Sequence, residues 1–236
     1  MTIRIAIFTD IHANLPALQA TLHAIKQEGC DMMVHTGDVI SIGPYPAETL
    51  DLFLQQPNLT AIMGNHDAYF AFGPPEWAKE DEHLNWTHQM LDPQLRSLVA
   101  RWPYRVQQTI EGVRLTFLHY GLTPEGDNFL PIVQEPTPAA MDQLFKDESA
   151  DLLFYGHHHP FSDMLGKARY VNPGSLGCYT HAIARYAMLT IQNGRYTLQH
   201  KTVTYDDSEL LRAFEQRQVA ERELILQSFF GGRAPA

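Results

Sequence analysis

Three short apolar runs near the N-terminus constrain most strongly what this chain can fold into. Ile3 to Phe8, "IRIAIF", reads as a buried strand, and further strands follow at "DMMVHTGD" and "LTAIMGNHD". Between the first two lies "ALQATLHAIKQEG", helical in its apolar spacing, opened by Asn14 as N-cap with Pro16 in the first turn and stopped by Gly29. "PAETLDLFLQQ" supplies a second helix. Strand, helix, strand, helix, strand at this spacing predicts parallel βαβ units with right-handed crossovers, and so an α/β chain.

Downstream, residues 72–102 turn helical and more polar, and "YRVQQTI" and "VRLTFLH" around "EG" predict a hairpin. A helix at "TPAAMDQLFKDES" and a strand "DLLFY" ending at Gly156 come next. "ARYVN", "ARYAMLTI" and "RYTLQHKTV" then read as strands without helices between them, before one long helix over "DDSELLRAFEQRQVAERELILQSFF". With no repeat, linker or composition shift, a single domain over 1–230 is expected, with a helical insert at about 72–102 and a mobile tail at 231–236. Trp77, Trp86 and Trp102 in the insert suit a packed subdomain better than a lid over substrate. The apolar stripe Leu210, Leu211, Phe214, Leu224, Ile225, Phe229 and Phe230 suits docking either on the sheet or on a second subunit, which would make a homo-oligomer.

Composition excludes several classes. At 236 residues and 44% hydrophobic the chain can bury a core unaided. Cys30 and Cys178 lie far apart and outside any CxxC spacing, which argues against a disulfide framework and a thiolate zinc site and fits a reducing cytoplasm. The N-terminus lacks the pattern of an export signal and no apolar run approaches a membrane span, so a soluble cytoplasmic protein is expected. The net charge of −10 disfavours binding to duplex nucleic acid. It also means that an anionic substrate needs local positive charge, which bound cations can supply.

Every predicted strand end delivers a metal-ligand residue type. The first gives Asp10 and His12, the second Asp38, and the third Asn65 and His66; later ones give His119 and then His157, His158 and His159. In an open parallel sheet the carboxyl ends of the strands line the ligand crevice, so these residues are expected to converge. In extended chain, residues two apart share a side, which pairs Asp10 with His12 and His157 with His159 and turns His158 away. Gly37, Gly64 and Gly156 stand just before ligand candidates, where a side chain would crowd the site. Carboxylates, imidazoles and one amide suit Mn, Fe or Zn better than Ca or Mg. Cys178 reads as an inert thiol and His35 as a residue behind the ligands; His23, His83, His88, His181 and His200 read as structural or surface residues.

In order, the blocks D-x-H, G-D, G-N-H-D, a lone H and G-H-x-H run from Asp10 to His159, over about two thirds of the chain. In this the sequence resembles the calcineurin-like metallophosphoesterases. "GDVISIGPYP" and "NPGSLG" are similar to the small one-domain bacterial and archaeal phosphodiesterases of that family, whereas "ISIG" replaces the aspartate and arginine that follow the second block in protein phosphatases. The resemblance implies a two-sheet β-sandwich flanked by helices, with the early parallel units and the late strand-rich region forming its two sheets. It implies two divalent or trivalent transition-metal ions, one held by Asp10, His12 and His159, the other by Asn65, His119 and His157, with Asp38 bridging. A hydroxide shared by the ions would attack phosphorus, His66 would face the substrate as acid or charge stabiliser, and Asp67 would orient His66. The chain departs from the family in "HYG", where Tyr120 stands in place of a small residue and is expected to crowd the pocket or stack on a leaving group. Asn14 and Tyr120 are the candidates for substrate contact.

The function expected is hydrolysis of a phosphodiester in a small molecule or nucleotide. Its rivals are a phosphomonoesterase acting on nucleotides or phosphoproteins, a nuclease for short oligonucleotides, and a non-catalytic metal-binding interaction module. The module reading fits poorly with a chain that keeps all seven ligands and His66.

Overall fold

The computed structural model describes residues 1–233. Its strands are β1 (Thr2–Phe8), β2 (Met32–His35), β3 (Leu59–Ala61), β4 (Arg105–Ile110), β5 (Val113–Leu118), β6 (Leu152–Phe154), β7 (Ser162–Leu165), β8 (Arg169–Asn172), β9 (Ile183–Gln192) and β10 (Arg195–Thr204). The helices are α1 (Leu15–Glu28), α2 (Pro46–Leu54), α3 (Asn65–Phe72), α4 (Glu82–Gln89), α5 (Arg96–Val99), α6 (Pro138–Leu144), α7 (Ser208–Gln216) and α8 (Arg222–Phe229). Short 3₁₀ turns at Glu76–Ala78 and Pro93–Leu95 link the helices of the insert.

The strands form two five-stranded sheets in the orders β10-β9-β1-β2-β3 and β4-β5-β6-β8-β7. In the first sheet β1 and β2, and β2 and β3, pair parallel; in the second β5 and β6, and β6 and β8, do so. The sandwich is the expected one, but the strands divide between its sheets differently. The late strands β9 and β10 return to the first sheet, β9 running antiparallel to β1, and the middle strands make the second sheet. Strand β7, whose "SDML" carries little apolar signal, was not legible and pairs antiparallel with β8.

Side-chain alternation builds the layers. Along β1, Ile5 and Ile7 face the second sheet, where they pack in one cluster with Leu115, Phe117, Leu152, Phe154 and Val171. Ala6 and Phe8 point the other way, into a cluster with Leu18 and Ile25 of α1 and Leu50 and Phe53 of α2. On the far side of the second sheet, Leu118, Leu153, Tyr155 and Tyr170 pack against Met141 and Phe145. Helix α1 starts and stops as read: Asn14 Oδ1 accepts from Ala17 N, and Gly29, at φ 78°, ends it. The hairpin at Glu111–Gly112 also forms, with both residues at positive φ (49° and 84°).

Two elements differ from expectation. The long C-terminal helix is broken between α7 and α8, where Gln218 and Glu221 take left-handed backbone (φ 51° and 57°). The break lets Leu210, Phe214, Ile225 and Phe230 pack with Ile42 and Cys178, so that the stripe docks beside the strand-end loops. The expected mobile tail is held at its start, where Arg233 pairs with Asp207 and donates to Tyr179 O; residues 234–236 lie outside the described residues. In the insert, Trp86 and Trp102 pack against the core clusters, whereas Trp77 is 78% exposed. No helix among the described residues is long and apolar enough to cross a membrane.

Phe117 and Phe154 stack between the sheets with ring centroids 5.4 Å apart, both fully buried. Phe117→Ala is expected to lower the unfolding free energy by about 3–5 kcal/mol in urea titrations; a loss below about 1 kcal/mol would contradict a core packed between the two sheets.

Candidate metal centre

Five parallel strand ends feed one cluster: β1 leads to Asp10 and His12, β2 to Asp38, β3 to Asn65 and His66, β5 to His119, and β6 to His157 and His159. His12 Nε2 lies 2.9 Å from His159 Nε2, and Asp10 Oδ1 lies 3.6 and 3.7 Å from those two nitrogens. A second group forms around Asn65 Oδ1, 2.8 Å from His157 Nδ1 and 3.1 Å from His119 Nε2. Asp38 Oδ2 sits between the groups, 3.2 Å from His119 Nε2 and 3.8 Å from His12 Nε2. His158 falls outside the cluster and donates its N–H to Gly156 O.

Turns bring these atoms together. Asp10, His12, Asp38 and His157 all have positive φ (53°, 48°, 64° and 65°), so the pairing of residues two apart comes from left-handed backbone rather than from the extended chain that the spacing suggested. Such conformations cost about 1–3 kcal/mol each and persist only where their surroundings enforce them. Here the enforcement is a set of hydrogen bonds. Asp67 Oδ2 accepts from Asp38 N (2.8 Å) and Gly64 N (3.1 Å), and its Oδ1 accepts from Val39 N (3.1 Å). Ser175 Oγ donates to Asp10 O, and Asn172 Nδ2 donates to His158 O. A Cβ on Gly64 would collide with Asp38, and one on Gly156 with Thr9, which accounts for the glycines at those strand ends.

The electrostatics set carboxylates against imidazoles. Burial opposes ionisation of Asp10 and Asp38, yet for Asp10 the His12 ring 3.6 Å away and the charges of His159 and His119, and for Asp38 the charges of His119 and His66, hold both well below the usual carboxylate range. Burial pushes His157 and His159 down to about 4, so both are neutral at pH 7. His119 is also opposed by burial, but the Asp38 charge and hydrogen bond carry it up to about 9; a proton there competes with any cation.

The donor chemistry fits cations. His119 Nδ1 lies 2.8 Å from Thr36 O and His12 Nδ1 3.3 Å from Ile40 O; a proton on each Nδ1 donates to its carbonyl and leaves the Nε2 lone pair facing the cluster. The amide of Asn65 can turn its oxygen inward as well. The opposite orientation would point its nitrogen at the same imidazoles and at Asp38 Oδ2, 3.2 Å away, and suits protons rather than a cation. Lone pairs gathered at these distances and buried need positive charge between them. Three groups of three donors lie close enough for an ion: His12, His159 and Cys178; His12, Asp38 and His66; and Asp38, His119 and His157. The Cys178 thiol is held well above its usual pKa by burial and by the Asp10 charge, so it stays protonated and is a poor ligand.

The model of the calcineurin-like phosphoesterase superfamily domain matches residues 3–194. The chain belongs to that superfamily. Membership implies a metal-dependent phosphoesterase. An uncharacterized protein of Methanocaldococcus jannaschii is 26% identical over 233 residues, covering 90% of each chain. Among solved structures, a hypothetical protein from Pyrococcus horikoshii shares the fold with a TM-score of 0.79 at 20% identity, over 98% of this chain and 99% of its own. A metallophosphoesterase from Sphaerobacter thermophilus does so with a TM-score of 0.70 at 22% identity, over 95% and 97%.

Within this calcineurin-like domain, three expected roles meet contrary geometry. Asp67 does not reach the ring of His66: its carboxylate is spent on three backbone N–H groups, and His66 Nδ1 has no partner. Asn14 is fully buried, its oxygen capping α1 and its NH2 donating to Gly177 O and Tyr205 Oη, so it is not free for substrate. Tyr120 is buried behind the ligands, its hydroxyl accepting from Val133 N and its ring 5.0 Å from that of His157, so it backs a ligand candidate instead of crowding the pocket. His35 is a core residue between Phe8 and Phe53, held neutral by burial with a pKa of about 3.

A cavity of about 740 Å³ opens over Asp38, Asn65, His66, His157 and His159. Arg185 and Phe229, which also line it, were not read as site residues: one sits in an ordinary strand pattern and the other was read only as part of the terminal apolar stripe. The Arg185 guanidinium is fixed by bonds to Ser175 O, His159 O and Cys178 O and stacks on Tyr179.

Asp67→Ala strands three buried N–H groups and is expected to cost about 3 kcal/mol of stability, read as a fall in Tm. A Tm within a degree of wild type would refute the bracing role.

Proposed function

We propose that the chain hydrolyses a phosphodiester of a small molecule or nucleotide at a dinuclear metal centre. The observation that carries this reading is the convergence of seven donors in two groups, with Asp38 between them and His66 at the mouth of an open cavity. Asp10, His12 and His159 would hold one ion, Asn65, His119 and His157 the other, and Asp38 both. Bound there, Mn, Fe or Zn ions supply Lewis acidity toward a phosphoryl oxygen and lower the pKa of water to near neutrality.

The remaining steps belong to side chains of the chain itself. Among the described residues Arg185 is the one arginine or lysine lining the large cavity, and its fixed guanidinium adds a single positive charge beside the cluster. Ile42, Ile132, Phe161 and Phe229 supply apolar wall, so the cavity suits an anion of one charge bearing two organic substituents better than a dianionic monoester. His66 is pushed down to about 4 by burial, against the raising effect of Asp38, and is neutral in the free site. A phosphate beside it favours the imidazolium, which can then give its proton to the departing oxygen. The partner is a small phosphoester; the acidic chain offers no basic stripe for a duplex.

Turnover is tested with metal-stripped protein, adding back Mn, Fe, Zn, Ni or Mg, on matched aryl phosphodiester and phosphomonoester substrates. Metal-dependent hydrolysis favouring the diester is expected. A preference for the monoester would make the chain a phosphomonoesterase, and no turnover with two ions bound would point to an interaction module. Asp38→Asn is expected to lose both ions in elemental analysis; unchanged metal content would remove its bridging role. His66→Ala is expected to keep both ions and lose roughly 100-fold in kcat, and a near-normal kcat would reject its part in the chemistry.

A further inference from the structure

A second cavity, of about 320 Å³, meets the first at Ile42, Asn65, His66, Ser228 and Phe229. Its walls differ in kind. Tyr69, Trp77, Leu224, Ile225 and Phe229 make it aromatic and apolar, and its charged residues are acidic, Asp81 and Glu221, with no lysine or arginine among the described residues lining it. Two of these side chains lie unusually open for their type, Trp77 at 78% and Leu224 at 62% exposure. An aromatic series leads outward from the cluster: the ring of Tyr69 is 5.8 Å from that of His66, and the ring of Trp77 is 6.2 Å from that of Tyr69, edge to face. Helix α8, which supplies Leu224, Ile225, Ser228 and Phe229, lies beyond the family-model match that ends at residue 194.

We infer that this lobe is a specificity subsite for one substituent of the diester, a planar aromatic group without negative charge, stacked on Trp77. The inference rests on the diester reading above and deepens it. A phosphodiester held at the cluster has two organic arms, and the two cavities offer them opposite surroundings: Arg185 on one side, Asp81 and Glu221 on the other. An arm carrying further negative charge is steered to Arg185 and away from the acidic lobe. An aryl ring or a nucleobase meets both demands of the Trp77 lobe, apolar faces to cover and no charge to repel.

Two measurements separate this inference from the reading it rests on. In metal-free protein, tryptophan fluorescence is titrated with adenosine and with phenol, for wild type and for Trp77→Phe, which leaves Trp86 and Trp102 in place. Saturable quenching by either compound in wild type and its loss in the variant are expected, and the tighter of the two tells a nucleobase from a simple aryl group. Absence of saturable quenching in wild type, or equal quenching in the variant, overturns the subsite. In the metal-loaded enzyme, Trp77→Ala is expected to raise KM for bis(p-nitrophenyl) phosphate about tenfold with kcat within about twofold, and Trp77→Phe to restore most of the loss; an unchanged KM also overturns it. If wild type fails to hydrolyse the diester at all, the proposed function falls, and the titration still decides the lobe.

Discussion

Two carboxylates buried beside several imidazole nitrogens are the constraint on which the rest of this structure depends. Asp10 and Asp38 are 0% and 2% exposed, and among the described residues neither has an arginine or lysine partner. Unpaired negative charge in that position is costly, and imidazoles repay it only by taking up protons. His119 alone among the ligand candidates at the second group is drawn strongly toward the charged form, while His157 and His159 are held neutral. His12 is raised as well, by Asp10 and Asp38 against burial, so protons on these imidazoles and bound cations are alternative ways of offsetting the two carboxylates.

The architecture follows from delivering those atoms to one place. Parallel strands in both sheets end at the same rim, and each ligand candidate sits on the turn that follows or, for Asn65, at the start of α3. Seven of the twelve described non-glycine residues with positive φ lie in those turns: Asp10, His12, Ala13, Asp38, Ser41, Ile42 and His157. Strain of that density holds only because neighbouring loops lock one another. Asp67 ties the β2 loop to the start of α3, Ser175 and Gly177 tie the loop after β8 to Asp10, and Gly43 N bonds back to His12 O. The cluster is therefore a property of packed loops on a rigid sandwich, which is how a site can be preorganised before any ligand arrives.

How much of this was legible in the sequence depends on range. Ligand types stood out only jointly: a lone aspartate, asparagine or histidine at a strand end is commonly a cap or a turn residue, but here five blocks kept order and spacing. The N-cap at Asn14 and the hairpin at Glu111–Gly112 were legible because caps and turns are decided within a few residues. Sheet membership was not: β9 carries the same alternation whether it joins the first sheet or the second, and only pairing with β1 decides. Burial was equally hidden. Nothing local in "HYG" shows that the Tyr120 hydroxyl is already used by Val133 N, or that Asp67, adjacent to His66 in sequence, turns its carboxylate toward the β2 loop. Arg185 and Phe229 reach the cavity from strands and helices whose patterns speak only of packing.

The most direct test of the account is anomalous scattering from crystals of the metal-loaded protein, collected at the absorption edge of the added ion. The account predicts two peaks in the cluster, one bounded by Asp10, His12 and His159, the other by Asn65, His119 and His157, with the Asp38 carboxylate between them. A single peak, or none at saturating metal with the cluster geometry intact, would contradict a dinuclear centre.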